Sequence, residues 1–223
     1  MVATAVKIAA ALERKHAPLD LFGPVPVPCL WPGDTFVCLG SGPSLTQDDV
    51  DACRGRARVI AIKNTVTMAP WADVLYGAGA DANGQTWWHR EGPRLTFPGL
   101  RYTLDHEARH WASVLRRDRE MGLSSDPGKL CLGYHSGYQA INLAVHLGAR
   151  RIVLLGYDIQ KTGGKDHFFG AHPHKNPPPY DLFMSRFPSI VEPLEARGIS
   201  VVNASRETAL TIFPRLPIDE ALA

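Results

Sequence analysis

The sequence predicts an α/β fold: a Rossmann-like, mainly parallel sheet with helices on both faces. Three observations predict it. Short apolar runs recur at 35–39 (TFVCL), 57–62 (ARVIAI) and 151–155 (RIVLL), without the polar alternation of a half-solvated strand, which suits strands buried on both faces. Segments with helical spacing and helix-end signals separate these runs. A glycine-rich turn, 40–45 (GSGPSL), follows the first run and opens a helix.

The elements follow in chain order. Residues 2–15 (VATAVKIAAALERK) read as an amphipathic helix rather than a secretion signal, because Lys7 interrupts the apolar part and no basic n-region precedes it. Pro18, Pro24, Pro26, Pro28 and Pro32 then fall within a short stretch. Proline fixes φ and removes a backbone donor, so this stretch is an extended connector. The chain divides into an arm and connector, 1–32, and a Rossmann-like domain, 33–223. In that domain a strand at 35–39 leads through the glycine turn to a short helix at 46–54. Strands follow at 57–62 and 73–78 (DVLYGA), then a helix over 83–91, a strand at 101–104 and a helix over 105–120. Residues 136–147 form the strongest helix: Ile141, Leu143, Ala144, Val145 and Leu147 make its apolar face, and Gly148 ends it. The strand at 151–155 opens into a long loop over 156–179. A helix at 180–197 and a strand at 199–202 complete the sheet.

Composition narrows the function classes. The 223 residues are 45% hydrophobic and 21% charged with a formal net charge of +2, ordinary globular values that exclude whole-chain disorder and fibrous repeats. A charge of +2 does not by itself indicate nucleic-acid binding. The basic stretch 101–119, with Arg101, Arg109, Arg116, Arg117 and Arg119, reads first as a solvated helix face. Cys29, Cys38, Cys53 and Cys131 contain no CxxC pair, so a structural zinc site of the usual spacing is not expected. Cys38, inside an apolar run, reads as a small buried hydrophobe. Scattered cysteines and the lack of an 18-residue apolar run point to a cytoplasmic protein without a membrane span.

Three segments carry chemistry. In 40–45, Gly40 and Gly42 let the backbone approach a phosphate or sugar, and the following helix start favours negative charge. The turn is not a dinucleotide fingerprint: its third glycine position holds Leu45, and the second strand ends in Lys63 and Asn64 rather than an acidic residue. It lacks the GK[ST] ending of a P-loop. In 134–138 (YHSGY), Ser136 reads as the N-cap of the strongest helix, whose start would present amides and a hydroxyl to a phosphate. Third, Gly156, Tyr157 and Asp158 follow the clearest strand, where α/β sheets bind ligands. The loop beyond carries His167, His172 and His174, side chains suited to moving protons near neutral pH. Residues 106–110 (HEARH) satisfy HExxH, but Arg109 sits inside the motif and no third ligand is evident, so no metal site is expected.

Taken together, FVCLGSGPSL, SGYQAINLAVHLGARRIVLLGYDI and HFFGAHPHK resemble the bacterial sialyltransferase family that modifies lipooligosaccharide. That family shows a strand followed by G-x-GPSL, an SG-opened helix ending in LG, a strand ending in G-x-D and a loop with H-x-x-GH. The chain is also similar to small phage-encoded proteins of unassigned role that share GSGPSL, and to the pterin pyrophosphokinase-like domain family. The resemblance implies a glycosyltransferase that uses a nucleotide-activated sugar and needs no metal or other cofactor. It places Gly40, Ser41, Gly42, Pro43 and Ser44 along the donor, with Asn64 and Asp81 after the second and third strands. Ser136 and Gly137 would hold the phosphate. His172 matches the family's general base, and the inserted Ala171 makes His167 its rival. The family's two phosphate-binding tyrosines fall near Gln160 and Lys161, so Lys161, Lys165 or Tyr157 would have to substitute, beside Asp158. The implied reaction is direct displacement onto an acceptor hydroxyl, of a glycan or of a hydroxymethylated base in phage DNA. Two alternatives stand beside it: a Mg²⁺-dependent pyrophosphokinase or nucleotidyltransferase using Asp81 and Asp158, and a non-catalytic phage module. If the protein is phage-encoded, its compartment is the host cytoplasm. The N-terminal arm can pack on the core or join subunits, so an oligomer is open.

Overall fold

A computed structural model describes residues 25–80, 84–92, 95–170 and 178–223. The predicted helix at 2–15 lies outside them.

Each central strand is apolar on both sides. In β1 (Thr35–Leu39), Phe36 and Cys38 face one layer while Val37 and Leu39 face the other, and all four are fully buried. β2 (Arg58–Ile62) repeats the pattern, with Ile60 and Ile62 on the first face and Val59 and Ala61 on the second. β3 (Val74–Tyr76), β4 (Leu100–Thr103) and β5 (Ser113–Val114) extend the sheet to one side, and β8 (Arg151–Leu155) and β9 (Ser200–Asn203) to the other. The order is β5-β4-β3-β2-β1-β8-β9, with every pair parallel. β6 (Arg116–Arg117) and β7 (Lys129–Leu130) form a small separate sheet.

Helices cover both faces. On the face of Phe36, α3 (Ser136–Leu147) packs Ile141, Leu143 and Leu147 beside Phe187, Ile190 and Leu194 from the turns around α4 (Tyr180–Arg186) and α5 (Val191–Glu195). On the face of Val37, α1 (Gln47–Ala52) supplies Val50, α2 (Trp87–Glu91) supplies Trp87 and Trp88, and α6 (Ile218–Ala221) supplies Ala221. The connector joins the core too: Val27, Leu30 and Trp31 are buried, and Trp31 N–H donates to Leu147 O (3.0 Å). Gly148 ends α3 at φ 110°, and a Cβ there would stand 2.8 Å from Trp31 backbone atoms.

Two expected helices are corrected. Residues 105–120 form a 3₁₀ turn (His106–Ala108) followed by β5 and β6. Ala108, Ala112 and Leu115 are all buried at spacings of four and three, so the apolar period of a helix arises from a turn and a strand that cross the same core. The HExxH residues therefore do not share a helix face. The helix expected at 180–197 breaks into α4, a 3₁₀ turn (Phe187–Ile190) and α5. Pro188 has no N–H to continue the ladder, and Pro193 is tolerated only in the first turn of α5.

Cys38, Cys53 and Cys131 are buried and Cys29 is exposed. Burial pushes the Cys38 and Cys53 thiols up to about 12. Thiol labelling of the native protein is expected to modify Cys29 alone among the four, and the others only after denaturant is added. Among the described residues no helix is long and apolar enough to cross a membrane.

From β1 the chain runs outward through β2 to β5, then returns to β8 on the other side of β1. The connections at the carboxyl ends of β1 and β8 thus diverge and leave a crevice between them, the position where open α/β sheets bind ligands.

Candidate functional site

The first glycine turn and the turn after β8 are interlocked. Gly40 N–H donates to Leu155 O (2.7 Å) and Gly42 N–H to Gly156 O (2.8 Å). A Cβ on Gly40 would stand 2.5 Å from Gly156 O, and one on Gly42 2.0 Å from Asp158 Oδ1. Only glycine fits either place. The space is used by the Asp158 carboxylate, 1% exposed. It accepts from Ser44 N–H (2.9 Å), Ser44 Oγ (2.7 Å) and Thr162 Oγ1 (2.8 Å). Asp158 is a latch between the two turns.

The loop beyond β8 folds back over the glycine turn. Phe168 N–H donates to Ser41 O (3.0 Å), and Ser41 Oγ and His167 Nδ1 share a hydrogen bond of 3.0 Å. The His167 ring stacks on Phe169 with centroids 4.9 Å apart.

The start of α3 closes the other side. Gly137 is buried, its carbonyl accepts from Tyr157 Oη (3.0 Å), and a Cβ on it would stand 2.7 Å from both the His135 and Tyr157 rings. The N-cap is His135, whose Nδ1 accepts from Tyr138 N–H (3.3 Å); this corrects the expectation for Ser136. Ser136 is the first helical residue, and its hydroxyl donates to Ala78 O (3.4 Å) at the exit of β3. That exit is also held by Asp105: Gly79 N–H donates to Asp105 Oδ1 (3.0 Å), while buried Oδ2 has no hydrogen-bond partner among the described residues.

His135 reports the electrostatics of this corner. Burial between Phe183, Phe187 and Tyr157, followed by the charges of Lys63 and His167, holds its imidazole down to about 3. It is neutral at physiological pH, and the bond from Tyr138 N–H assigns its proton to Nε2. Below the ordinary histidine value near 6.5 the unfolded chain takes up a proton that the native state refuses. Stability is therefore expected to fall as pH drops from about 6.5, at up to about 1.4 kcal/mol per unit for this one group. His146, also held low by burial, steepens the fall. Denaturation midpoints between pH 7 and 5 check this: in His135→Asn, which keeps a capping acceptor, the slope shrinks to the share of His146.

The structure therefore brings Gly40, Ser41, Gly42, Pro43, Ser44, Ser136, Gly137, Tyr157, Asp158 and His167 to one rim. Their roles differ. Tyr157 is a core residue that ties the β8 turn to α3. Asn64 Oδ1 accepts from Trp87 Nε1 (2.6 Å) and anchors α2 below the exit of β2. Lys161 is 56% exposed and pairs with Asp166 (3.6 Å), which also accepts from Tyr180 Oη (3.1 Å), so it is drawn toward α4. Asp81, Ala171, His172 and His174 lie outside the described residues. Asp105 was not found from sequence, and His135 lay inside the 134–138 segment without being singled out; both depend on which strand ends become neighbours. Among the described residues no three His, Cys, Asp or Glu side chains are grouped as metal ligands would be.

A second concavity, about 440 Å³, lies beside β9 and is lined by Asp49, Ser205, Arg206, Arg215 and Ile218. Its arginines are committed: Arg206 binds Asp49 through two bonds (2.8 and 3.0 Å), and Arg215 donates to the carbonyls of Ser205 and Arg206.

No family model matches the chain. No curated protein matches it. Among solved structures it is similar to the MAf glycosyltransferase from Magnetospirillum magneticum AMB-1, at 12% identity and a TM-score of 0.63 over 94% of this chain. The chain spans about 37% of the length of that protein. At this identity the likeness establishes the shared fold.

Proposed function

We propose that the protein is a glycosyltransferase that takes a nucleotide-activated sugar and transfers the sugar by direct displacement, without a metal ion. The observation that carries this reading is the Ser41–His167 hydrogen bond. It seats a loop imidazole on the glycine turn, at the switch point of the sheet and beside the start of α3. The fold likeness to a glycosyltransferase agrees with it.

In the proposed reaction the donor lies along 40–44 with its phosphate toward the start of α3. His167, in the tautomer whose Nδ1–H donates to Ser41 Oγ, presents a basic Nε2. This nitrogen takes the proton of an acceptor hydroxyl as its oxygen attacks the anomeric carbon. The bond from that carbon to the phosphate oxygen breaks, and the nucleotide leaves with the electron pair. The acceptor is a glycan hydroxyl, with a hydroxymethylated DNA base as the second to try. Retention on DNA that weakens with salt would favour the base. The pyrophosphokinase reading would use Asp158 as a cation ligand, whereas its oxygens hold Ser44 and Thr162.

The test is incubation with CMP-, UDP-, GDP- and ADP-activated sugars in EDTA, measuring released nucleotide. Slow hydrolysis of one donor, unchanged by EDTA, is the expected result. Turnover that requires Mg²⁺, or no turnover of any donor, contradicts the proposal.

A further inference from the structure

Asp105 lies just beyond the carboxyl end of β4 and is 8% exposed. Its backbone is fixed on both sides: its N–H donates to Thr103 Oγ1 (3.0 Å), and its carbonyl accepts from Ala108 N–H (2.9 Å). It precedes the 3₁₀ turn at His106–Ala108, yet its side chain does not cap that turn. Instead Oδ1 accepts from Gly79 N–H (3.0 Å) and ties the exit of β4 to the exit of β3. A neutral acceptor such as an asparagine carbonyl would serve for that one bond. The second oxygen, Oδ2, is buried and has no hydrogen-bond partner among the described residues. Such an atom is costly unless something donates to it. The backbone beside it is open: Gly79 holds φ at 95°, and no described atom lies within 4 Å of where its Cβ would stand. Direct contacts lead from here to the rim, since the neighbouring carbonyl, Ala78 O, accepts from Ser136 Oγ (3.4 Å) at the start of α3.

We propose that Asp105 reads the ribose of the donor nucleotide, its Oδ2 accepting a hydrogen bond from a hydroxyl of the 2′,3′-diol. This rests on the donor reading above. There the transferred sugar lies beside His167 and the phosphate at the start of α3, so the nucleoside, on the far side of the phosphate, extends over the exit of β3. A ribose hydroxyl suits a buried carboxylate oxygen: it donates a proton and brings no charge of its own. In open α/β sheets an acidic side chain beyond a strand end commonly takes this role. The second strand ends here in Lys63 and Asn64, and the acidic group stands at the fourth strand instead.

The experiment compares binding of CMP, UDP, GDP and ADP with binding of the 2′-deoxy and 3′-deoxy form of each, by calorimetry. Wild-type protein is expected to bind one ribonucleotide about ten- to hundredfold more tightly than at least one of its deoxy forms. Asp105→Asn keeps a carbonyl oxygen for Gly79 N–H but replaces Oδ2 with an amide and removes the charge. The preference should then shrink below about threefold, with affinity for the deoxy form unchanged. A second readout needs no variant: in labelled wild-type protein the Gly79 amide, bonded to the same carboxylate, should shift further with the ribonucleotide than with the deoxy form. Equal binding of ribo and deoxy forms by wild-type protein, or equal Gly79 shifts, overturns the assignment of Asp105 and leaves the donor reading standing. So does an Asp105→Asn protein that keeps the preference, or one that loses affinity for every form alike, which marks a structural role. A wild-type protein that binds none of the nucleotides overturns the donor reading and this inference with it.

Discussion

Gly42→Ala is expected to destabilise the protein by about 3 kcal/mol or more, the summed cost of leaving two buried donors unmade at about 1–3 kcal/mol each. The new methyl would stand 2.0 Å from Asp158 Oδ1 and 2.6 Å from Gly156 O, so it cannot be absorbed by a flexible side chain. To admit it, Asp158 must leave Ser44 N–H and Ser44 Oγ, which are buried with it. The two turns then lose both their latch and the bond from Gly42 N–H to Gly156 O. Asp158→Ala should cost a similar amount, because it strands the same donors. Gly128→Ala, whose Cβ would meet only Asp126 Oδ1 at 3.3 Å, is the control and should cost less than about 1 kcal/mol. Urea denaturation compares them; a Gly42→Ala protein within 1 kcal/mol of wild type would show that the turns do not interlock.

His167→Ala is expected to lower turnover by about 10²- to 10⁴-fold, the usual contribution of a positioned general base. Nucleotide affinity should change little, because in the proposed reaction the imidazole meets the acceptor and not the phosphate. Ser41→Ala, which removes the ring's anchor but not the base, should lose less than His167→Ala. Resemblance alone favours His172 for this role, so the paired variants decide between them. A larger loss in His172→Ala than in His167→Ala would move the base to His172 and reduce His167 to a loop contact with Ser41.

Much of this fold was legible in sequence for local reasons. β1, α3 and β8 have the predicted bounds because their burial is uniform along the strand or face, and because Gly148 ends α3 in the left-handed region. The segment 105–120 was misread because Ala108, Ala112 and Leu115 satisfy a helical period for reasons of tertiary crossing. The helix expected over 180–197 is divided by Pro188 and Pro193. The site follows the same rule. The glycines of 40–45 are legible because their requirement is steric and carried by the backbone itself. Asp158 was placed correctly after its strand, yet sequence does not distinguish a carboxylate that faces a ligand from one that binds a serine in the next turn. His135 owes its lowered basicity first to burial and only then to the charges of Lys63 and His167, groups far from it in the chain, and no local pattern announces such a corner.

The central claim is that the turn after β1, the turn after β8 and the start of α3 form one anion-binding rim. Amide NMR of the labelled protein during titration with CMP, UDP, GDP and ADP tests it most directly. For the nucleotide that binds, the amides of Ser41, Gly42, Ser44, Gly156, Ser136 and Gly137 should shift together along one binding curve. Shifts confined to the concavity of Arg206 and Arg215, or absent for all four nucleotides, would contradict it.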